Sequence, residues 1–163
     1  MSIKEIARLS IVAAIYVALT MAVSPIAFGP IQFRISEILL LLCFFNPKYG
    51  FSLVIGCFLA NLFSPYGWID WVFGTGQTLI TVLLIIWAAR QKMPLWAASL
   101  AATITTPLIG IGIYLATSGA RETFWFVTGY VAIGEFVVVS IVGVTLFKLI
   151  SKNFVRNSTT TTN

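Results

Sequence analysis

LSIVAAIYVALTMAVSPIAFGPIQF, residues 9–33, is a run of 25 positions without a charged side chain. A helix needs about 20 apolar residues to cross roughly 30 Å of hydrocarbon. The length of this run therefore predicts a helix that spans a membrane. Comparable runs, the last of them interrupted only by Glu135, follow at residues 49–69, 71–89, 93–120 and 123–147.

The composition of the whole chain also favours a membrane protein. Of its 163 residues, 59% are hydrophobic and 9% are charged, and the mean hydropathy is +0.99. Because a soluble domain has about 25% charged residues, these values exclude an ordinary soluble domain, a disordered chain and a nucleic-acid-binding protein. We assign residues 1–156 to one small membrane domain. The polar tail 157–163, NSTTTTN, is expected to be disordered.

The distribution of basic residues predicts the topology, because lysine and arginine collect on the cytoplasmic side of a membrane. We predict an all-α integral membrane protein, a compact bundle of six transmembrane helices with both termini in the cytoplasm. The predicted spans are residues 6–24, 35–46, 49–63, 69–90, 94–116 and 124–151. Arg34 and Arg121 then face outward. The basic residues at the cytoplasmic face are Lys4, Arg8, Lys48, Arg90, Lys92, Lys148, Lys152 and Arg156.

The second predicted span is short, since residues 35–46 would extend only about 18 Å as an α-helix. Pro47 prevents a smooth continuation, so residues 35–63 are expected to form two helices that fold back on each other. If both cross the membrane there are six spans, and if the pair is re-entrant there are four. Both cases keep the C-terminus in the cytoplasm. A single bent span would place the basic C-terminus outside, against the charge distribution.

Polar side chains inside the apolar runs are candidates for function. A carboxylate at the centre of a membrane helix costs roughly 2.5–3.5 kcal/mol and normally faces a cavity or a partner. Glu135 lies near the middle of the last span, with Trp125 on the same helical face at the outer end. Asp70 opens the fourth span, and Gln77 follows it at helical spacing. The structural alternatives are pairing with neighbouring helices for Glu135 and Gln77, and a helix-dipole role for Asp70.

The densest group of polar residues lies at 29–37, GPIQFRISE. Arg34 and Glu37 are three positions apart and can form an ion pair on one helix face. The alternative is that both line an outer cavity together with Gln32. Asn61, near the outer end of the third span, is either a ligand contact or a helix terminator.

Together these side chains predict an acidic, aromatic-walled pocket near the outer face. Carboxylates accept hydrogen bonds, amides both accept and donate them, and aromatic rings stack on planar groups and attract cations. The complement is a small planar molecule rich in N–H donors, for which a guanine-like base fits. The candidate substrate-binding residues are Gln32, Arg34, Glu37, Asn61, Asp70, Gln77, Trp125 and Glu135.

Other residue types argue against an enzyme. The sequence has no histidine, which removes the commonest metal ligand and the usual proton shuttle. Cys43 and Cys57 lie inside apolar runs, as expected of reduced core residues. We therefore expect no catalytic residue, no metal and no cofactor. The phosphate-binding motif GxxxxGK[ST] does not occur, so ATP would have to be hydrolysed by another subunit.

Ala14, Ala18 and Ala22 recur at four-residue intervals along the first span. Small residues at this spacing let two membrane helices approach closely. The stripe therefore predicts a packing surface, either inside the bundle or toward a partner protein.

Three segments resemble, in order and spacing, the QueT family of substrate-binding S components of energy-coupling-factor (ECF) transporters, which are associated with queuosine precursors. The segments are GPIQFRISE at 29–37, IGCFLANL at 55–62 and DWVFG at 70–74. The resemblance extends from the first helix through the fourth. It implies a six-helix bundle with cytoplasmic termini and a substrate pocket near the outer face, gated by loops that include residues 25–34.

The resemblance also implies partners and a substrate. An S component docks on a membrane-embedded T subunit that carries two cytosolic ATPases, and the docking stripe of such proteins corresponds here to Ala14 and Ala18, extended by Ala22. The expected substrate is the deazapurine 7-aminomethyl-7-deazaguanine, a cationic guanine-like base. The protein would be a non-enzymatic component of the prokaryotic plasma membrane that captures this base outside and delivers it to the cytoplasm. No nucleic-acid partner is expected.

Two alternatives stay open. An S component for another small nutrient would share the fold and the docking stripe but prefer a different ligand. An ion-coupled carrier would use Glu135 as its ion site and would transport without an ATPase partner.

Overall fold

The computed structural model describes residues 2–29, 32–116 and 121–150, which form seven helices and no strand. This confirms the all-α prediction. The predicted disordered tail, 157–163, lies outside the described residues. In chain order the helices are α1 (Ile3–Ala22), α2 (Ser24–Ala27), α3 (Ile35–Phe45), α4 (Tyr49–Asn61), α5 (Asp70–Arg90), α6 (Leu95–Thr105 and Pro107–Ala116) and α7 (Arg121–Glu135, then Phe136–Gly143, continuing to Ile150).

Four of these helices, α1, α5, α6 and α7, contain stretches long and apolar enough to cross a membrane. The protein is therefore a multi-pass membrane protein. Helices α3 and α4 are apolar but shorter, so the expectation that both of them cross stays a prediction. The stretch after the first span is partly helical, because α2 occupies part of what the sequence predicted as an outer loop.

Helix α3 compensates in part for its small number of residues. Its first seven residues, Ile35–Leu41, wind as a 3-10 helix, which rises about 2.0 Å per residue instead of 1.5 Å. The whole of α3 therefore extends about 20 Å, slightly more than the α-helix that the sequence predicted. This is still less than the roughly 30 Å of a hydrocarbon core.

Contacts at one end of the bundle bring several parts of the chain together. Lys48, in the turn between α3 and α4, forms an ion pair with Glu5 in the first turn of α1. At the same end, Phe45 of α3 stacks on Phe147 of α7 at 5.6 Å between ring centres. The N-terminus, the α3–α4 turn and the end of α7 thus lie together, which agrees with the side assigned to their basic residues by the charge-based topology.

Helix α1 packs against α4 and α3 on one side. The contact with α4 is close because Gly56 has no side chain: a Cβ there would lie 3.0 Å from both the Ala13 carbonyl oxygen and Tyr16 Cβ. The opposite side of α1 is uncovered, and the whole predicted stripe of Ala14, Ala18 and Ala22 is exposed there. The stripe therefore does not pack inside the bundle.

Three irregular turns interrupt the long helices. Residues Asp70–Gly74 at the start of α5 and Phe136–Gly143 in α7 form π-helical turns, which occur frequently at functional sites. One begins at Asp70 and the other directly follows Glu135. Helix α6 is interrupted at Thr106, before Pro107, because proline cannot donate the helical hydrogen bond.

Candidate functional site

Arg34, which is buried just before α3, joins three parts of the chain. Its Nη2 donates to Asp70 Oδ2 at 3.4 Å, its Nε donates to the Ala27 carbonyl at 3.3 Å, and its guanidinium carbon lies 5.3 Å from the ring centre of Phe28. The ion pair between Arg34 and Glu37, which their spacing allowed, is replaced by a pair with α5. Arg34 thereby ties the segment that precedes α3 to the start of α5.

Asp70 is completely buried and is largely satisfied by protein donors. Its Oδ2 accepts from Arg34 and from the Ser64 hydroxyl, the latter at 2.6 Å. Its Oδ1 has no hydrogen-bond partner. Asp70 is thus a side chain that holds Arg34 in place and still presents one free acceptor oxygen.

Asn61 is both the last residue of α4 and a member of this group. Its Nδ2 donates to the Asp70 carbonyl oxygen at 2.9 Å and to Thr75 Oγ1 at 3.3 Å, whereas its Oδ1 has no partner. Gly74 makes the approach possible, since a Cβ there would lie 2.9 Å from Asn61 Nδ2. The amide therefore bridges α4 to α5 and leaves a buried acceptor.

Glu37 lies in the first turn of α3 and is 4% exposed. The Tyr16 hydroxyl of α1 donates to its Oε1. One residue earlier, the Ser36 hydroxyl forms a 2.7 Å hydrogen bond with Thr20 Oγ1, again on α1. The position of the Glu37 carboxylate is therefore determined by α1.

Glu135 is 5% exposed, on α7. Its Oε2 is buried and has no hydrogen-bond partner among the described residues. The segment Ile35–Leu41, which carries Glu37, packs against Phe136–Gly143, the part of α7 that directly follows Glu135. The middle of α7 thus places a second buried carboxylate beside the start of α3, with no protein donor on its Oε2.

Two amide side chains of the predicted site are also buried. Gln32 is 4% exposed and adopts a φ of +48°, a left-handed conformation that costs a non-glycine residue about 1–3 kcal/mol and is found mainly at functional sites. Gln77 is buried on α5, seven residues beyond Asp70. Both amide side chains are therefore shielded from solvent.

Trp125 lies apart from these residues. Its side chain is 71% exposed and contributes to an open cavity of about 370 Å³ between α6 and α7, lined also by Ile111, Tyr114 and Phe124. None of the buried polar residues described above lines this cavity. The structure therefore separates Trp125 from Glu135, although both were predicted on one helix face.

The buried polar cluster, which we define as Arg34, Glu37, Asn61, Asp70 and Glu135, is rich in acceptors. It contains three carboxylates and one guanidinium. Its unpartnered buried atoms, Asn61 Oδ1, Asp70 Oδ1 and Glu135 Oε2, are all acceptors when the carboxylates are ionised. Unsatisfied buried polar atoms are costly, so a ligand that donates hydrogen bonds would stabilise this arrangement. No group of histidine, cysteine, aspartate or glutamate suited to a metal ion occurs in the described part of the chain.

Two residues of this arrangement were missed from the sequence. Tyr16 lies inside an apolar run, where a tyrosine is equally expected as a membrane-interface residue. Ser64 lies in a short connection with no distinctive pattern. A buried phenol does need a hydrogen-bond partner, but the sequence does not show that Tyr16 is buried. The two cysteines, by contrast, are free and buried as predicted.

The Arg34–Asp70 pair makes a testable prediction about stability. Asp70→Ala leaves the Arg34 guanidinium buried without its counter-ion, which is expected to cost about 3–5 kcal/mol. We expect a clear drop in the Tm of the detergent-solubilised protein, and recovery of most of that drop in the double variant Arg34→Met/Asp70→Ala. Glu5→Ala is the control, because its ion pair with Lys48 is exposed and should contribute little. A double variant no more stable than Asp70→Ala alone would contradict the pairing.

Comparison with known proteins gives one family match and one curated relative. A sequence model described as the QueT transporter family matches residues 6–152. The curated "Queuosine precursor transporter QueT" of Lactococcus lactis subsp. cremoris (strain MG1363) is 34% identical over 142 residues, which cover 81% of this chain and 83% of that protein. No solved structure matches the chain. The matched region includes the whole buried polar cluster.

Proposed function

The chain belongs to the QueT transporter family, and on that premise we propose that it is the substrate-binding component of an ECF importer for a queuosine precursor. As a member of a transporter family it is a membrane component without enzymatic activity. In the proposed cycle it captures 7-aminomethyl-7-deazaguanine outside the cell. A separate energising module then drives delivery to the cytoplasm.

The observation that carries the proposal is the set of unpartnered acceptors in the buried polar cluster. Asn61 Oδ1, Asp70 Oδ1 and Glu135 Oε2 each lack a donor. The proposed base is rich in donors: the N1–H and the 2-amino group on one edge, and an ammonium on the aminomethyl arm. A ligand rich in donors would satisfy acceptors that the protein leaves free, Glu135 Oε2 among them.

Charge balance supports a cationic substrate. One guanidinium faces three carboxylates in the cluster, and that guanidinium is already paired with Asp70. Glu37 and Glu135 are therefore the carboxylates left to neutralise a cation. We modify the sequence-based expectation accordingly: Asp70 positions Arg34, and Glu37 and Glu135 bind the ligand.

The two remaining carboxylates are suited to different parts of the ligand. A bidentate contact with N1–H and the 2-amino group needs a carboxylate that is not committed to another donor, and Glu135 Oε2 has no hydrogen-bond partner among the described residues. Glu37 has one oxygen engaged by Tyr16. We therefore assign the base edge to Glu135 and the ammonium to Glu37.

The contacts of Arg34 indicate how a ligand would reach the buried polar cluster. Arg34 contacts Ala27 and Phe28, which precede it in the same segment of the chain, and Asp70 of the buried polar cluster. We propose that release of these contacts admits the ligand from the outer side and that their return encloses it. The conformation of Gln32 within the same segment supports a functional role for it.

The exposed stripe on α1 supports docking on a T subunit that carries two ATPases. Ala14, Ala18 and Ala22 are all uncovered in the monomer, and small residues allow close helix approach. The absence of the GxxxxGK[ST] motif from this sequence is consistent with ATP hydrolysis by those partners.

Calorimetric titration of the solubilised protein with 7-aminomethyl-7-deazaguanine tests the substrate, with guanine as the control. We expect saturable binding of the deazapurine without any partner protein, and weaker binding of guanine, which lacks the ammonium. A folded protein that binds neither compound would contradict the substrate assignment. A competition panel of other bases and vitamins would then identify a different nutrient.

An ion-coupled carrier is the second candidate, and the unpartnered Glu135 Oε2 in the middle of α7 favours it. Reconstitution in liposomes separates the two functions. The importer requires ATP and the energising module for uptake of the deazapurine, whereas a carrier would transport alone when an ion gradient is applied.

A further inference from the structure

Tyr16 has a position that the proposed function does not by itself explain. It is the largest fully buried side chain of the protein's described part, and it lies on α1 among apolar neighbours. Its hydroxyl nevertheless reaches the polar cluster and donates to Glu37 Oε1. A buried phenol linked to a buried carboxylate on another helix is a specific arrangement rather than simple packing.

Packing holds the Tyr16 side chain in this place. Gly56 of α4 faces it so closely that a Cβ there would lie 3.0 Å from Tyr16 Cβ. Tyr16 and Leu53 belong to the same apolar core. A side chain that is immobilised by its surroundings can orient another group accurately, so Tyr16 is suited to fixing the Glu37 carboxylate.

The hydrogen bond also makes Glu37 and Glu135 chemically different. A donor to a carboxylate favours the ionised form of that carboxylate, and Glu37 has such a donor in Tyr16. Glu135 Oε2 has none. Both acids are almost equally buried, so burial alone does not distinguish them. Glu37 is therefore the carboxylate that a protein donor orients, and we assign it to the positive charge of the ligand.

We propose that Tyr16 is a specificity-determining positioning residue, whose hydroxyl holds the Glu37 carboxylate in place so that Glu37 selects ligands that carry a cation. The inference rests on the proposed function and extends it by naming the residue behind one part of the substrate preference. Tyr16 acts through Glu37 and does not itself touch the ligand.

The test compares two ligands that share the guanine edge and differ in charge: 7-aminomethyl-7-deazaguanine and its neutral 7-cyano counterpart. In Tyr16→Phe, which removes one oxygen atom, we expect about tenfold weaker binding of the cationic ligand and unchanged binding of the neutral one. Thr20→Val is the matched control. It removes the hydrogen bonds of Thr20 Oγ1 to Ser36 Oγ and to the Tyr16 carbonyl oxygen but keeps the Tyr16 hydroxyl and Glu37, and should leave the ratio of the two affinities unchanged.

A second set of variants checks that the effect passes through Glu37. Glu37→Gln should reduce the preference for the cation at least as much as Tyr16→Phe, and Tyr16→Phe/Glu37→Gln should reduce it no further than Glu37→Gln alone. Equal weakening of both ligands by Tyr16→Phe, or unchanged affinities, would overturn the inference while the proposed function stands. If the wild-type protein binds neither ligand, the proposed function fails and this inference fails with it.

Discussion

Glu135→Gln is expected to weaken the binding of 7-aminomethyl-7-deazaguanine by about 100-fold or more, because hydrogen bonds to a charged group contribute about 1.5–3 kcal/mol each and two are affected. Glutamine keeps the shape of the side chain. It replaces one acceptor oxygen by an NH₂ group, which would face a donor of the base. The buried, unpartnered Oε2 thus predicts the largest loss of affinity from a single conservative change in this protein.

The measurement is a calorimetric titration with both the aminomethyl and the cyano deazaguanine. Because Glu135 is assigned to the base edge that the two ligands share, both affinities should fall by a similar factor. Glu5→Gln is the matched control: Glu5 is paired with Lys48 at the other end of the bundle and should leave both affinities unchanged. Wild-type affinity in Glu135→Gln would show that this carboxylate does not contact the ligand.

Ala18→Leu is expected to retain substrate binding but to reduce ATP-dependent uptake by at least about tenfold. Ala18 is exposed in the middle of the α1 stripe. A leucine there would separate two helix backbones that small residues bring together, and overpacking of a close contact costs about 1–3 kcal/mol. The buried polar cluster that we propose as the substrate site contacts the opposite side of α1 through Tyr16, so the affinity should not change.

Co-purification with the energising module, together with uptake into liposomes, measures this effect. Gly129→Leu is the control, because Gly129 is exposed on α7 and a Cβ there meets no atom within 4 Å. It introduces the same side chain on another exposed face and should preserve uptake. Normal uptake in Ala18→Leu would show that the stripe is not part of the docking surface. Loss of ligand binding would show that the stripe belongs to the substrate site instead.

Much of the fold could be predicted because it depends on local properties of the chain. Apolar runs of sufficient length predict membrane helices, and four of the predicted helices are long and apolar enough to cross. Pro47 predicted the break between α3 and α4. The winding of α3 was not predicted, because the spacing of its residues does not distinguish 3-10 from α geometry.

The sequence predicted which types of residue the candidate site contains, but not which of those residues pair with each other. Glu135 was identified because a carboxylate in an apolar run is costly unless it has a role, Asp70 because it opens the fourth span, and Glu37 because it belongs to the dense polar group at 29–37. The partner of Arg34 was ambiguous, since Glu37 is three residues away in sequence while Asp70 is 36 residues away. Trp125 was placed with Glu135 by helical spacing, yet its side chain points to the surface.

The sequence by itself determined that this is a helical membrane protein, that its interior would contain particular acidic residues, and that small residues recur along α1. Each of these depends on composition or on spacing within one helix. Only the tertiary structure decided that Arg34 pairs with Asp70, that Tyr16 holds Glu37, and that the α1 stripe faces outward. Those contacts join different helices. They depend on how each helix is rotated about its axis and on how closely glycines such as Gly56 let two helices approach. The sequence of a single helix does not determine either of these.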